Sequence, residues 1–290
     1  MRPADRIRAA VARGPAISAP GVFDALSATL AAHAGFEVLF ASGYGIAATR
    51  LGLPDFGLVT ASEMRDTARL VCDAARGVPV IVDADTGYGN ALNVQRTVRE
   101  LRDAGAAGVL LEDQVWPKRC GHMSGKQVIA ASEHAAKLRA ARDAVGDELY
   151  LIARTDARAP LGLDAAIERA LTYLEAGADA TFVEAPQSAE ELAEIARRVP
   201  GAKLANMLER GLTPILTVEE LGALGFALVA HPLTALYAAA QVMREVFAHL
   251  KTDGSSRRDL DRILPWDEWN RVIGLDRYYA AEKRYRGDDA

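Results

Sequence analysis

Between Leu110 and Lys126 the chain reads LLEDQVWPKRCGHMSGK. Two acids, Glu112 and Asp113, follow an apolar run. Lys118, Arg119, Cys120, Gly121 and His122 then place two cations, a thiol and an imidazole within one short stretch. Cations and an imidazole beside a thiol favour the thiolate, so the spacing predicts a Cys120 of lowered pKa that exchanges protons with a substrate. Gly121 and Gly125 suit a loop that bends tightly or closes over a ligand. A solvated surface loop would account for the charges, but not for a thiol and an imidazole among them.

A second group is carboxylic. Asp83 and Asp85 stand two apart in VDADTGYG after an apolar run, so both can face one side at the end of a strand. Glu112, and Asp55 from Leu53-Pro54-Asp55, add two more acids. Left alone, such a set repels itself and raises its pKa values. A divalent hard cation relieves this, and oxygen ligands favour Mg²⁺ or Mn²⁺ over Zn²⁺. Arg154, in Ala153-Arg154-Thr155-Asp156, can grip a carboxylate through two parallel hydrogen bonds, or form an ion pair with Asp156 or Glu184. Asn206 can donate to a carboxylate, and Ser42, Gly43 and Tyr44 offer backbone N–H groups and hydroxyls to an anion. His231 suits a ligand contact and a core position equally. His33, His134 and His249 lie in helical stretches and read as structural, as does Cys72.

These groups need a scaffold that gathers them. Short apolar runs at 16–19, 38–41, 78–82, 109–111, 149–153, 180–183, 203–206 and 227–230 lack polar alternation, as parallel strands covered on both faces should. Stretches of helical period separate them, among them 91–104, 132–145 and 163–176. Gly105 and Gly177, each between alanines just before a run, suit left-handed helix ends. About eight βα units in 290 residues predict a single (β/α)8 TIM-type barrel domain over 1–290, with 240–290 as a C-terminal helical extension. No Gly-x-Gly-x-x-Gly follows the first run, which weighs against a dinucleotide-binding sheet. In such a barrel the site lies where the strands end, and almost every run here is followed by a polar group: Ser42, Asp83, Glu112, Arg154, Glu184, Asn206, His231. The extension has an apolar side, Trp266, Trp269, Val272, Ile273 and Leu275, suited to a neighbouring subunit.

Composition narrows the classes further. A net charge of -5 gives no basic footprint for nucleic acid, so no nucleic-acid partner is expected. Two cysteines, Cys72 and Cys120, make no disulfide framework and read as reduced thiols of a cytoplasmic protein. The first residues, MRPADRIRAAVARG, form an amphipathic helix without a signal-peptide core, and no stretch is long and apolar enough to predict a membrane span.

With these residues in place the chain resembles the isocitrate lyase/phosphoenolpyruvate mutase superfamily. The marks are Lys118-Arg119-Cys120-Gly121-His122, Leu53-Pro54-Asp55, Val82-Asp83-Ala84-Asp85-Thr86-Gly87, Glu112-Asp113-Gln114 and Ala153-Arg154-Thr155-Asp156-Ala157. Cys120-Gly121-His122-Met123-Ser124-Gly125-Lys126 is most similar to the group of 2-alkylmalate and 2,3-dimethylmalate lyases, petal death protein-like and oxaloacetate hydrolase-related. Methylisocitrate lyases share the Lys-Arg-Cys-Gly-His core but tend to continue with Arg-Pro-Asn. The phosphonate mutases lack the Cys-Gly-His element.

The resemblance implies a barrel whose last helix swaps between paired subunits, a homotetramer (a dimer of helix-swapped dimers), and bound Mg²⁺. The implied reaction is cleavage of a small 2-hydroxydicarboxylate to a 2-oxo acid and a carboxylate, or, alternatively, hydrolysis of oxaloacetate to oxalate and acetate. Asp83, Asp85, Glu112 and Asp55 are then the metal set. Ser42, Gly43, Tyr44, Arg154, Asn206 and Gly121 would hold substrate; Cys120, Glu184, His122, Lys118 and Arg119 would act in catalysis. The resemblance also implies a Ser near the eighth strand end in oxaloacetate-hydrolysing members. This chain has Pro232 there, which favours a lyase.

Overall fold

The computed structural model describes residues 1–286. Eight strands form one closed barrel in sequence order, every neighbouring pair parallel and the first strand joined to the last. They are β1 Ile17–Val22, β2 Leu39–Ala41, β3 Val80–Asp83, β4 Gly108–Glu112, β5 Tyr150–Thr155, β6 Ala180–Val183, β7 Ala202–Asn206 and β8 Leu228–His231. Each falls on an apolar run read from the sequence, with ends that coincide or differ by at most three residues. The predicted (β/α)8 class is the observed one. Among the described residues, no helix is long and apolar enough to cross a membrane.

Alternation along the strands decides what faces the barrel axis. One buried cluster takes Ala19, Phe40, Ile81, Leu110, Ile152, Phe182, Leu204 and Ala230, one residue from every strand, together with Ile7 of the N-terminal helix Pro3–Ala12. Residues two apart on a strand share a face. The next inward layer towards the C-terminal ends is therefore Gly21, Ser42, Asp83, Glu112, Arg154, Glu184, Asn206 and Pro232. The apolar layer is the floor on which the polar one stands. Outward-facing residues such as Val82, Leu111 and Ala153 pack instead against the surrounding helices.

The helices Ala91–Asp103 and Leu163–Glu175 reverse into the next strand through Gly105 at φ +97° and Gly177 at φ +102°. That is the left-handed geometry expected of them, and one that a side chain disfavours.

Two compact units divide the chain, Met1–Leu236 with the whole barrel and Tyr237–Ala290 with the extension. Most of the helix Thr234–Asp253 lies in the second, followed by a 3-10 turn Arg257–Arg262 and the helices Trp266–Ile273 and Leu275–Arg286. Gly274, at φ +75°, separates these last two helices. Within this unit His249 and Arg262 pair with the buried Asp259, while Phe247, Leu260 and Trp266 stay exposed.

Candidate active site

A cavity opens at the C-terminal mouth of the barrel. Its polar wall comprises Ser42, Tyr44, Asp55, Asp83, Cys120, Gly121, His122, Arg154, Glu184 and Asn206. Its apolar lining is Phe40, Phe182, Leu204 and Ala230 of the floor layer, with Leu208, Pro232 and Leu233. Ser42, Asp83, Arg154, Glu184 and Asn206 converge because they occupy one layer of one barrel, whereas Tyr44, Asp55, Cys120, Gly121 and His122 reach the cavity from the segments that follow the strands.

Arg154 sits at the centre of the ion pairs. Its Nε and Nη2 donate to Asp156 at 2.8 and 3.0 Å, and Nη1 lies 3.3 Å from Glu184. Nε is also 3.3 Å from Glu112 Oε2. Burial disfavours its charge, but Asp156, Glu184 and Glu112 outweigh that and hold the guanidinium firmly protonated. The bidentate grip foreseen for a substrate is therefore made with Asp156. Glu184 also meets His122 Nε2 at 2.9 Å and accepts from Asn206 Nδ2 at 3.4 Å. Burial opposes its charge too, yet Arg154 and His122 keep its pKa below the usual carboxylate value. His122 Nδ1 accepts from the Leu212 N–H at 2.9 Å, which places the ring proton on Nε2, towards Glu184. Nothing in the sequence near His122 announced the Leu212 partner.

The acids gather differently from the expectation. Strand β3 ends at Asp83, and Asp85 lies beyond it with φ +49°, a backbone conformation that Asp tolerates better than most residues. The two come together through this turn, not by alternation along a strand, and Asp83 Oδ1 accepts the Asp85 N–H at 3.1 Å. Gly43 packs against both: a Cβ there would stand 2.8 Å from Asp83 Oδ2 and 3.5 Å from Asp85 Oδ1. Ser42 caps the short helix that follows by accepting from the Gly45 N–H at 3.3 Å, so its hydroxyl is already engaged in holding that turn.

Lys118 enters the same cluster. Its ammonium lies 2.7 Å from Asp55 Oδ1 and 2.7 Å from Asp85 Oδ1. Burial works against that charge, but Asp85, Asp55 and Glu112 sustain it and raise its pKa. Desolvation in turn pushes Asp85 up to about 7 despite Lys118. The structure thus makes Lys118 a counter-ion of the acids, not a group facing the cavity.

Among the described residues, no three His, Cys, Asp or Glu side chains stand ready as a metal cage, since the ammonium takes up part of the acid set. The donors nevertheless fit a hard cation. Glu112 is fully buried, neither of its oxygens accepts a hydrogen bond, and burial drives its pKa well up. With only the Arg154 guanidinium beside it, at 3.3 Å and without a hydrogen bond, this carboxylate retains lone pairs that a proton or a cation can take.

Cys120 lines the cavity, but the lowered pKa is corrected. Desolvation pushes the thiol up to about 11; the His122 backbone N–H opposes this, and the carboxylates of Asp55 and Glu184 add to it. The cations adjacent in sequence do not reach the sulfur. Lys118 turns into the acid cluster, and Arg119 is exposed, its guanidinium 5.7 Å from the Phe56 ring and donating to Ser124 O at 3.1 Å. Arg119 therefore lies outside the cavity lining.

Three features escaped the sequence reading. Gln114 clasps the loop by accepting from the Arg119 N–H at 3.0 Å and donating to Arg119 O at 2.8 Å. Buried Lys126 donates to Asp156 at 2.9 Å and to the Gly121 carbonyl. Asp113, next to Glu112, faces outward and ties Thr155, Tyr173 and Arg169 together as a structural hub. Strand parity could have separated Asp113 from Glu112. The two clasps depend on loop geometry that spacing does not carry.

A family model described as phosphoenolpyruvate phosphomutase matches residues 7–251. The chain is 53% identical to a chloroplastic carboxyvinyl-carboxyphosphonate phosphorylmutase of Arabidopsis thaliana, over 92% of this chain and 80% of that one. It is 52% identical to the petal death protein of Dianthus caryophyllus, over 92% and 84%. Identity to 2,3-dimethylmalate lyase of Eubacterium barkeri is 43%, over 98% and 99%. The structure of oxaloacetate acetylhydrolase with 3,3-difluorooxalacetate superposes with a TM-score of 0.92 at 36% identity, covering 99% of this chain and 97% of that one. That of phosphonopyruvate hydrolase with oxalate and Mg²⁺ gives 0.87 at 30%, covering 98% and 99%. The chain belongs to the phosphoenolpyruvate mutase/isocitrate lyase superfamily, and within it stands with the carbon–carbon lyases.

Proposed function

We propose that the protein cleaves a 2-hydroxydicarboxylate of the 2-alkylmalate, 2,3-dimethylmalate or 2-methylisocitrate type to a 2-oxo acid and a carboxylate. The observation that carries this is the Cys120 thiol lining the same cavity as Asp83, Arg154 and Asn206, together with apolar side chains suited to an alkyl branch. A Mg²⁺ or Mn²⁺ ion held by Asp83 and Asp85, with Glu112 behind them and Asp55 at the rim, would supply Lewis-acid stabilisation of a 2-oxygen. The Mg²⁺ in the phosphonopyruvate hydrolase structure supports such a site.

Arg154 contributes fixed positive charge beside the substrate carboxylates, and the Ser42–Tyr44 segment provides the facing wall. When the C2–C3 bond breaks, its electrons pass to the second carboxylate as an enolate-like dianion, while the 2-hydroxyl gives its proton to a carboxylate of the acid cluster and becomes the oxo group. That proton replaces the one Cys120 donates and resets the thiol. Asn206 and the His122–Glu184 pair face that charge. Cys120 then gives its proton to C3. A raised thiol pKa suits this better than the thiolate first expected, because the donor must hold its proton at neutral pH. Closure of the loop keeps water from the intermediate.

Hydrolysis of oxaloacetate to oxalate and acetate is the second reading, favoured by likeness to oxaloacetate acetylhydrolase. Against it, Pro232 lines the cavity at the place where the resemblance implies a serine in oxaloacetate-hydrolysing members, and proline has no hydroxyl. The resemblance implies that phosphonate mutases lack the Cys-Gly-His element present here, which likewise weighs against phosphoryl-transfer chemistry. For the whole protein we infer a homotetramer built on the exposed apolar side chains of the extension, with its last helix exchanged between subunits. The test of function is a panel of malate, citramalate, 2-alkylmalates, 2,3-dimethylmalate, 2-methylisocitrate and oxaloacetate with products identified. Release of a 2-oxo acid from a 2-hydroxydicarboxylate is expected. Oxalate and acetate from oxaloacetate alone would select the hydrolase.

A further inference from the structure

The loop that carries Cys120 is pinned at both ends by buried ammonium groups, and one of these has no part in the chemistry described so far. The excursion begins and ends at a short antiparallel contact, Gln114 with Val128, where the Val115 N–H donates to Gln127 O at 2.8 Å. Just inside that base, Gly125 at φ +76° turns the chain and directs Lys126 inward. The Lys126 side chain is 1% exposed and its partner Asp156 is 0% exposed. Its ammonium reaches Asp156 Oδ1 at 2.9 Å and also the carbonyl of Gly121, the residue after the thiol.

Gly121 is pressed against the floor of the site. A Cβ there would collide with Arg154 Nη2 and with the Glu184 side chain. The backbone beside Cys120 is thus seated on the Arg154–Glu184 pair and tied down by a cation whose counter-ion, Asp156, also holds Arg154. We propose that Lys126 is a positioning residue: it latches the Cys120–Gly121 segment onto the Arg154–Asp156 pair, so that the thiol meets substrate only when the latch is made. Asp156 then serves two cations, one from the strand end and one from the loop. Closing the loop and aiming Arg154 become a single event. The latch deepens the reading of Cys120 as proton donor and rests on it.

The test removes the ammonium and reads Cys120 directly. In full-length Mg²⁺-supplied Lys126→Met, iodoacetamide alkylation at Cys120, followed by peptide mass spectrometry, should be about 10-fold faster than in the wild type, because the closed state is no longer held. With the substrate found active, kcat should fall about 100-fold while KM stays within about threefold, since a misplaced proton donor is felt in the reacting state. Cys120 alkylation at the wild-type rate in the folded variant overturns the latch, whatever happens to kcat. Should Lys126→Met not fold, Lys126→Gln keeps a donor for the Gly121 carbonyl and removes only the charge. It should speed alkylation about threefold, and a wild-type rate there overturns the proposal equally. Alkylation needs no substrate. An enzyme inactive on every acid of the panel would therefore defeat the functional reading while leaving the latch to be judged on its own.

Discussion

The reactivity of Cys120 is set by what surrounds it in space. Lys118 and Arg119 directly precede it in sequence, and from sequence alone they lower its pKa. Folded, one is consumed by Asp55 and Asp85 and the other lies outside on Phe56, so desolvation prevails and the thiol rises to about 11. Residue types were legible because Cys, His and paired acids are uncommon company. Side-chain direction was not, because adjacent residues need not point together. The consequence is measurable in metal-free enzyme: alkylation of Cys120 should climb without a plateau up to about pH 10, since the reactive thiolate is scarce below its pKa. A plateau near neutrality would restore the lowered value and remove the neutral proton donor.

Strand alternation is the device that turns six separate polar residues into one site. Phe40 and Ser42, Ile81 and Asp83, Leu110 and Glu112, Ile152 and Arg154, Phe182 and Glu184, and Leu204 and Asn206 are pairs two apart, apolar below and polar above. That pattern was open to reading, and it also explains why Glu112 turns inward while Asp113 becomes a hub beneath the helices. Asp85 was harder, because it leaves the strand and reaches the cluster through a left-handed turn. The loop from Lys118 to Lys126 was recognisable as an element, but its closed seat was not, since that depends on partners at Leu212, Asp156 and Asp55 far along the chain. Gly121→Ala tests the seat. The added methyl collides with Arg154 and Glu184, so kcat should drop about 100-fold while the melting temperature stays near that of the wild type. An alanine variant with unchanged kcat would mean that the loop works without this approach.

The barrel as a whole followed from the count and order of apolar runs. The extension followed only as helices, because nothing local in a sequence states which surface covers exposed residues such as Trp266 and Phe247. A homotetramer predicts a light-scattering mass of four times the 31.0 kDa chain; a monomer would deprive those side chains of the proposed partner. Stability should also carry a signature from His134, buried edge-on to Tyr173 with ring centroids 4.6 Å apart. Burial, then Lys137 and Arg169, lowers its pKa from 6.5 to about 3. The folded state keeps it neutral while the unfolded state takes up a proton below 6.5, so stability is lost as pH falls through the unfolded value. Between about pH 8 and about pH 5 this one residue should cost about 2 kcal/mol. Denaturant titrations of His134→Leu should show a pH dependence flatter by that amount, and an unchanged slope would mean that the imidazole is protonated in the fold. Removing divalent metal with a chelator should abolish turnover, and added Mg²⁺ or Mn²⁺ should restore it; full activity in chelator would exclude the role given to Asp83 and Asp85. The most direct measurement of all is turnover by Cys120→Ser on the acid that the wild type cleaves, with Mg²⁺ binding and circular dichroism confirming an intact protein. A fall of about 1000-fold or more is predicted, whereas cleavage at a rate close to that of the wild type would contradict proton delivery by this thiol.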